Sequence, residues 1–250
     1  MNTNFNFNNR STNVENMSPQ AAARTRSLMT YTFGWMALAL VISTILTLVF
    51  GSNAELFSYL VSVDPITGKI KRTILYWIVA LSPLAFMLVM TFGFNKLSFP
   101  VLLGLFLAYA ACTGISLSVL LSFYEPKVIA KAFGSAAGLF GLMAIVGVTT
   151  KTDLTSFGRI MMFGVVAILI SSLMNFFFFQ SSGFDYLISI VGVAVFTGLV
   201  AYNVQQIKRL SAESDGSEGY MKLSVMAAFS LYLDFVNIFL FLLRIFGRRD

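Results

Sequence analysis

Seven long, mainly apolar stretches dominate this 250-residue chain: Met29 to Phe50, Thr73 to Phe94, Phe99 to Phe123, Val128 to Val148, Gly158 to Phe179, Tyr186 to Gln206 and Lys222 to Phe246. A helix crosses the hydrocarbon core with about 20 apolar residues, so the seven stretches take up most of the chain and leave only short connections. In lipid, only helices and closed barrels satisfy every backbone N–H and C=O. Barrel strands would alternate in segments of about ten residues, whereas these runs are continuous. The expected fold is an all-α integral membrane protein, a single bundle of seven transmembrane helices over residues 29–250.

Composition removes the main alternatives. Apolar residues make up 57% of the chain and charged residues 11%, against about 25% charged in a soluble domain, which excludes a water-soluble enzyme. With no His and one Cys, the chain lacks the commonest metal ligand, the usual catalytic base and any intrachain disulfide. No Gly-rich phosphate loop or metal-ligand cluster offsets that, so no enzymatic chemistry and no cofactor are implied. The net charge of +6 comes from 17 Lys and Arg spread between the spans. That pattern reads as membrane-flanking anchors in contact with the lipid bilayer, not as a nucleic-acid surface.

The connections differ in character. Residues 1–28 are Asn-rich and poor in aliphatics up to the basic pair Arg24 and Arg26, and are expected to form a disordered polar tail. The apolar run that follows exceeds the 7–15 residues of a signal-peptide core, so the first span is expected to stay. The longest loop, Gly51 to Arg72, carries turn signals at Asp64-Pro65 and Thr67-Gly68. Leu210 to Tyr220 is acidic and Gly-punctuated and reads as a mobile loop.

Small residues spaced by four let helices approach closely in lipid. Gly134 with Gly138 and Ala137 with Gly141 mark the fourth span, Gly104, Ala108 and Cys112 the third, and Ala194 with Gly198 the sixth. All are expected at helix–helix contacts, Cys112 as one small residue among them. Pro83, midway along the second span, is expected to bend it.

Polar residues inside spans carry the functional signal, because each must offset its cost in hydrocarbon. Asp234 lies twelve residues after Lys222 and ten before Arg244, central in the seventh span, with Asn237 three residues on. Asn203 stands near the end of the sixth span and Asn175 in the fifth. A central Asp costs about 2.5–3.5 kcal/mol to insert, so Asp234 should face protein or a water-filled cavity. Two readings follow: a buried carboxylate hydrogen-bonded to a neighbouring helix, or an ion or proton site. Depth constrains any pairing of Asp234 with Asn203. Asp234 is about 18 Å beyond Lys222 at 1.5 Å per residue, while Asn203 is a few residues from Lys208 and Arg209. The two meet only if the sixth helix continues past Gln206 or the seventh begins outside the membrane.

The run SLYLDFVNIFLFLLR, Ser230 to Arg244, closely resembles the signature of the Bax inhibitor-1 family of transmembrane proteins. AYNVQQIKRL (Ala201 to Leu210), ACTGISLS (Ala111 to Ser118), AFGS (Ala132 to Ser135) and TKTDLTSFG (Thr150 to Gly158) resemble its other helices and the loop after the fourth. The resemblance implies a bacterial inner-membrane bundle whose last helix is surrounded by the other six, with a cytoplasmic N-terminus. It further implies a pH-sensitive calcium leak channel in which two aspartates, on helices six and seven, share a proton beside a basic residue at the end of helix two. Asp234 matches the second aspartate and Lys96 the basic residue, which also reads as an interfacial anchor; Asn203 stands where the first aspartate would be. An amide cannot share a titration, so a single-proton response is expected. Asp234 with Asn203, Asn237 and backbone oxygens would make a sparse, weak calcium site. Association of bacterial family members with a membrane protease supports the alternative of a non-conducting regulator that binds such a protease or another membrane complex.

For an odd number of spans, the side holding the N-terminus collects Arg10, Arg24, Arg26, Lys96, Lys151, Arg159, Lys208, Arg209 and Lys222. The other side takes Lys69, Lys71, Arg72, Lys127, Lys131, Arg244, Arg248 and Arg249. The margin of one favours a cytoplasmic N-terminus. Reporter fusions at Asp250 and near Asp215 are expected on opposite faces of the membrane; both on one face would overturn the seven-span topology.

Overall fold

The computed structural model describes residues 19–63, 70–213 and 218–247. Among them are helices α1 (Pro19–Ser52), α2 (Ala54–Leu60), α3 (Ile74–Gly93), α4 (Phe99–Leu121), α5 (Pro126–Thr149), α6 (Thr155–Met174), α7 (Ser182–Glu213) and α8 (Glu218–Phe246). All but α2 belong to the seven helices long and apolar enough to cross a membrane. Strands β1 (Val61–Val63) and β2 (Ile70–Arg72) pair antiparallel between α2 and α3.

Helix α8 occupies the centre of the bundle. Two thirds of its most apolar stretch is buried, against 6% in α3 and in α6. It packs principally on α1, α4, α5 and α7, while α3 lies outside against α4 and α6 outside against α7. The expectation of a central last helix holds, with four principal neighbours in place of six. Phe106 and Tyr109 of α4 meet Phe229 and Tyr232 of α8 edge to face at ring separations of 5.0 to 5.8 Å, the arrangement aromatic quadrupoles favour.

Several boundaries differ from those expected. Helix α1 starts at Pro19, where a missing N–H costs nothing, so residues 19–28 belong to a helix and not to a disordered tail. Leu28 is fully buried, and Tyr220 of α8 donates its hydroxyl to the Arg24 carbonyl. The alanines of this stretch favour helix, and Leu28 gives it a group to bury; residues 1–18 of the expected tail lie outside the described residues. The long loop is also built. Asn53 accepts from the Glu55 and Leu56 N–H groups to start α2, and Leu60 and Val61 pack on Val119 of α4. Its turn signals at 64–68 lie outside the described residues, as do 214–217 of the acidic loop, whose flanks are helical as far as Glu213 and from Glu218.

Pro83 lies within α3, which is helical on both sides of it. It cannot supply the N–H that the Val79 carbonyl would accept, and the hydroxyl of Ser82 donates to that carbonyl at 2.8 Å instead. Helix α6 ends in a π-type turn over Asn175–Phe179, closed by Gln180 in the left-handed region at φ 45°. The Asn175 side chain bridges this turn to the Ser181 backbone in both directions, so its role is to join α6 to α7.

The small-residue expectation is corrected for α5. Gly134, Ala137 and Gly138 are exposed, and nothing approaches the space beside Gly134, Gly138 or Gly141 within 4 Å. The buried face of α5 instead presents Ala132, Ala136, Phe140 and Gly147. Small residues stripe both faces of this helix, so spacing alone could not choose between them. Gly104 and Ala194 are likewise exposed, Ala108 and Cys112 are half-buried, and Gly198 does pack, against Phe157 and Met161 of α6. The closest approaches fall elsewhere: Gly114 on the Ser43 backbone, Gly158 on the Tyr202 ring, and Gly147 where a Cβ would lie 2.5 Å from the Ala201 carbonyl oxygen.

A side chain at Gly147 would strike backbone, which cannot yield, so Gly147→Leu is expected to cost about 1–3 kcal/mol. Gly138→Leu, facing lipid, should stay within about 0.5 kcal/mol of the parent. Thermal midpoints in detergent check the pair; equal loss in both would place Gly138 in the packed interior.

Candidate functional site

Asp234 is 4% exposed on α8, and its carboxylate Oδ2 accepts a 2.7 Å hydrogen bond from Nδ2 of Asn203 on α7. The two residues are level because both conditions set by the depth argument are met. Helix α7 continues past Gln206 to Glu213, and α8 begins at Glu218, before Lys222. Among the described residues, Asn203 is the hydrogen-bonding partner of Asp234. The other candidates stand apart. Asn237 donates to the Leu233 carbonyl of its own helix at 2.8 Å. Lys96 is exposed in the turn between α3 and α4 and makes no bond to the pair. Its helix packs on α4, outside the α7–α8 contact.

The chemistry of the pair is that of a lone carboxylate. Asn203 turns its NH₂ toward Asp234, so it meets the carboxylate as a donor and brings no second negative charge. No three His, Cys, Asp or Glu side chains converge among the described residues. A cation passing here would therefore meet one carboxylate together with backbone oxygens and water, well short of the six to eight oxygens calcium prefers.

Two residues before Asp234, Tyr232 forms the second polar tie of α8. Its hydroxyl lies 2.7 Å from Oγ of Ser43 on α1. The single Ser43 proton is directed at the carbonyls of Ala110, 2.8 Å away on α4, and of Ala39, so Tyr232 is the donor. Thr47 repeats the link one turn on, donating to the Gly114 carbonyl at 2.8 Å. This joins α1 to α4 where Gly114 admits the Ser43 backbone.

A third cluster holds the α5–α6 turn against α7. The Leu154 N–H donates to Oε1 of Gln205, and Nε2 of Gln205 donates to the Thr152 carbonyl, both at 2.8 Å. Lys208 donates to the Val148 carbonyl at 2.6 Å near the end of α5. Arg209 pairs with Asp153 at 2.6 Å and donates to the Thr155 hydroxyl at 2.8 Å. The Thr155 hydroxyl and N–H, with Arg209, hold the exposed Asp153 carboxyl down at about 2. Sequence reasoning singled out neither Gln205 nor Ser43. Gln205 sits inside AYNVQQIKRL and its partners inside TKTDLTSFG, two stretches that the fold shows to be one structure. Ser43 gave no signal, because a serine in a helix can satisfy itself on its own backbone.

The sequence profile of the family described as "Inhibitor of apoptosis-promoting Bax1" matches residues 25–250. Similar proteins include "Inner membrane protein YbhL" of Escherichia coli (strain K12), 34% identical over 232 residues, covering 92% of this chain and 95% of that one. "Uncharacterized protein RP147" of Rickettsia prowazekii is 36% identical over 224 residues, 90% of each chain. An uncharacterized protein of Borreliella burgdorferi is 46% identical over 156 residues, 62% of this chain and 67% of the relative. A match running from within α1 through the central helix, with relatives aligned over 90% and 95% of their own length, makes this chain a member of the Bax inhibitor-1 family and a multi-pass inner-membrane protein.

Proposed function

We propose that the protein is a cation leak pathway, with calcium as the permeant ion, whose conductance follows the protonation of Asp234. One observation carries this reading: a carboxylate at the centre of the bundle, 4% exposed, whose hydrogen-bonding partner is an uncharged amide. An ionised carboxylate held by one amide is undercompensated in a low dielectric, so it either takes up a proton or draws in water and a cation. Protonation closes the packing between α7 and α8, and ionisation favours a hydrated, cation-attracting state. A sparse oxygen set binds calcium weakly, which suits a leak and not a store. The reading places the N-terminus in the cytoplasm and assigns no enzymatic step.

The test is calcium efflux against pH from liposomes holding the parent, Asp234→Asn or Asn203→Asp. The parent should show one single-proton transition, about two pH units wide. Asp234→Asn should lose that transition while inserting and folding as before. Asn203→Asp adds a second carboxylate beside the first, so two coupled protons should broaden the profile. An Asp234→Asn profile that matches the parent removes Asp234 from the gate. No efflux from the parent at any pH overturns the leak reading in favour of a regulator that binds a membrane protease or another membrane complex.

A further inference from the structure

Helices α1 and α5 both lean on α8 but not principally on each other. The gap between them is a cleft of about 610 Å³, walled by the second half of α1 and the first half of α5 and floored by α4 and α8. Its lining along α1 runs from Leu40 to Ser52, a rise of about 18 Å at 1.5 Å per residue. Half of the hydrocarbon core is about 15 Å. The cleft therefore reaches from the membrane surface at the α4–α5 turn to near the midplane, the depth of one leaflet.

The lining decides what the cleft holds. Leu48, Phe133, Phe235 and Phe239 make it apolar, and Leu48 and Phe133 are exposed at its lips. Five of its hydroxyl groups already donate to backbone carbonyls: Ser43 to α4, Thr44 to Leu40, Thr47 to Gly114, Ser118 to Ile115 and Ser122 to Val119. Water needs two to four polar partners to occupy such a space, and a cation needs oxygens with free lone pairs directed at it. A lining that is mostly carbon supplies little of either, whereas hydrocarbon needs only shape. At the surface end, Lys127 and Lys131 are exposed on the first turns of α5, next in sequence to the lining residues Pro126 and Ala130, with the Lys131 ammonium 4.3 Å from the centre of the Phe246 ring. These two ammonium groups stand at the level where a phosphodiester headgroup sits.

We propose that the α1–α5 cleft is a binding site for one acyl chain of a membrane glycerophospholipid, with its phosphate held at Lys127 and Lys131. The site lies apart from Asp234, whose side chain does not line it, and stands independently of the leak reading.

The test uses vesicles of phosphatidylethanolamine and phosphatidylglycerol whose acyl chains carry a photoreactive diazirine near the methyl end, with labelled peptides read by mass spectrometry. Label is expected to concentrate on cleft residues of α1, α5 and α8. Ala130→Trp, which fills the cleft from the α5 side, should lower that labelling several-fold. Leu142→Trp, on the same helix but outside the lining and 63% exposed, should leave it unchanged. Leu48→Trp fills the cleft from the opposite wall and serves if Ala130→Trp does not fold. Lys127→Glu with Lys131→Glu should weaken labelling by phosphatidylglycerol more than by phosphatidylethanolamine. Label spread evenly over the lipid-facing sides of α3 and α6, or unchanged by both cleft-filling variants, overturns the site.

Discussion

Every polar group on α8 must find its partner inside the protein, because hydrocarbon offers none. Tyr232 and Asp234 are two residues apart, about 200° around a helix at 3.6 residues per turn, so they face opposite ways. Tyr232 reaches Ser43, which is tied to α4 through the Ala110 carbonyl, and Asp234 accepts from Asn203 on α7. A central helix with one polar bond on each side fixes its own rotation and depth. A purely apolar rod among apolar neighbours could rotate or slide at little cost. The edge-to-face ring contacts of α8 with α4 depend on that fixed rotation.

The remaining helices fall into two groups stitched by different means. On one side, α1 and α4 are joined by Ser43, Thr47 and the bare backbone at Gly114. On the other, α5, α6 and α7 are joined by Gln205, Lys208, Arg209 and the close approaches at Gly147 and Gly158. The α7 side carries several polar ties near one membrane surface, whereas its tie to α8 at mid-depth is the single Asn203–Asp234 bond. The single mid-depth tie between α7 and α8 is thus the one made by the titratable side chain.

How much of this was legible in the sequence depended on range. Span number and type followed from run length alone, since the demand of the bilayer is local and periodic. Asp234 was legible because a charge in hydrocarbon is rare, and its pairing with Asn203 was legible as a condition on helix length that the fold meets. Which small residues pack was not legible on α5, where Ala132 and Ala136 face inward and Gly134 and Gly138 outward at the same spacing. Helix rotation decides that, and rotation is set by groups on other helices. Gln205 and Ser43 were invisible for the same reason: their partners lie 53 and 189 residues away, and neither residue type is unusual where it stands.

The most buried of the seven spans is synthesised after the other six. Until α8 leaves the ribosome, Ser43 lacks the Tyr232 hydroxyl and Asn203 lacks the Asp234 carboxylate. Helices α1, α4, α5 and α7 must therefore wait in the bilayer without the helix they all pack on, inserted but with the packing stage of a two-stage assembly incomplete. A nascent chain that stalls before Tyr232 leaves those four helices without their central partner. Surveillance of unassembled membrane proteins would then meet a defined mark: the Asn203 amide of α7 without its carboxylate, whereas Ser43 keeps its bonds to Ala39 and Ala110.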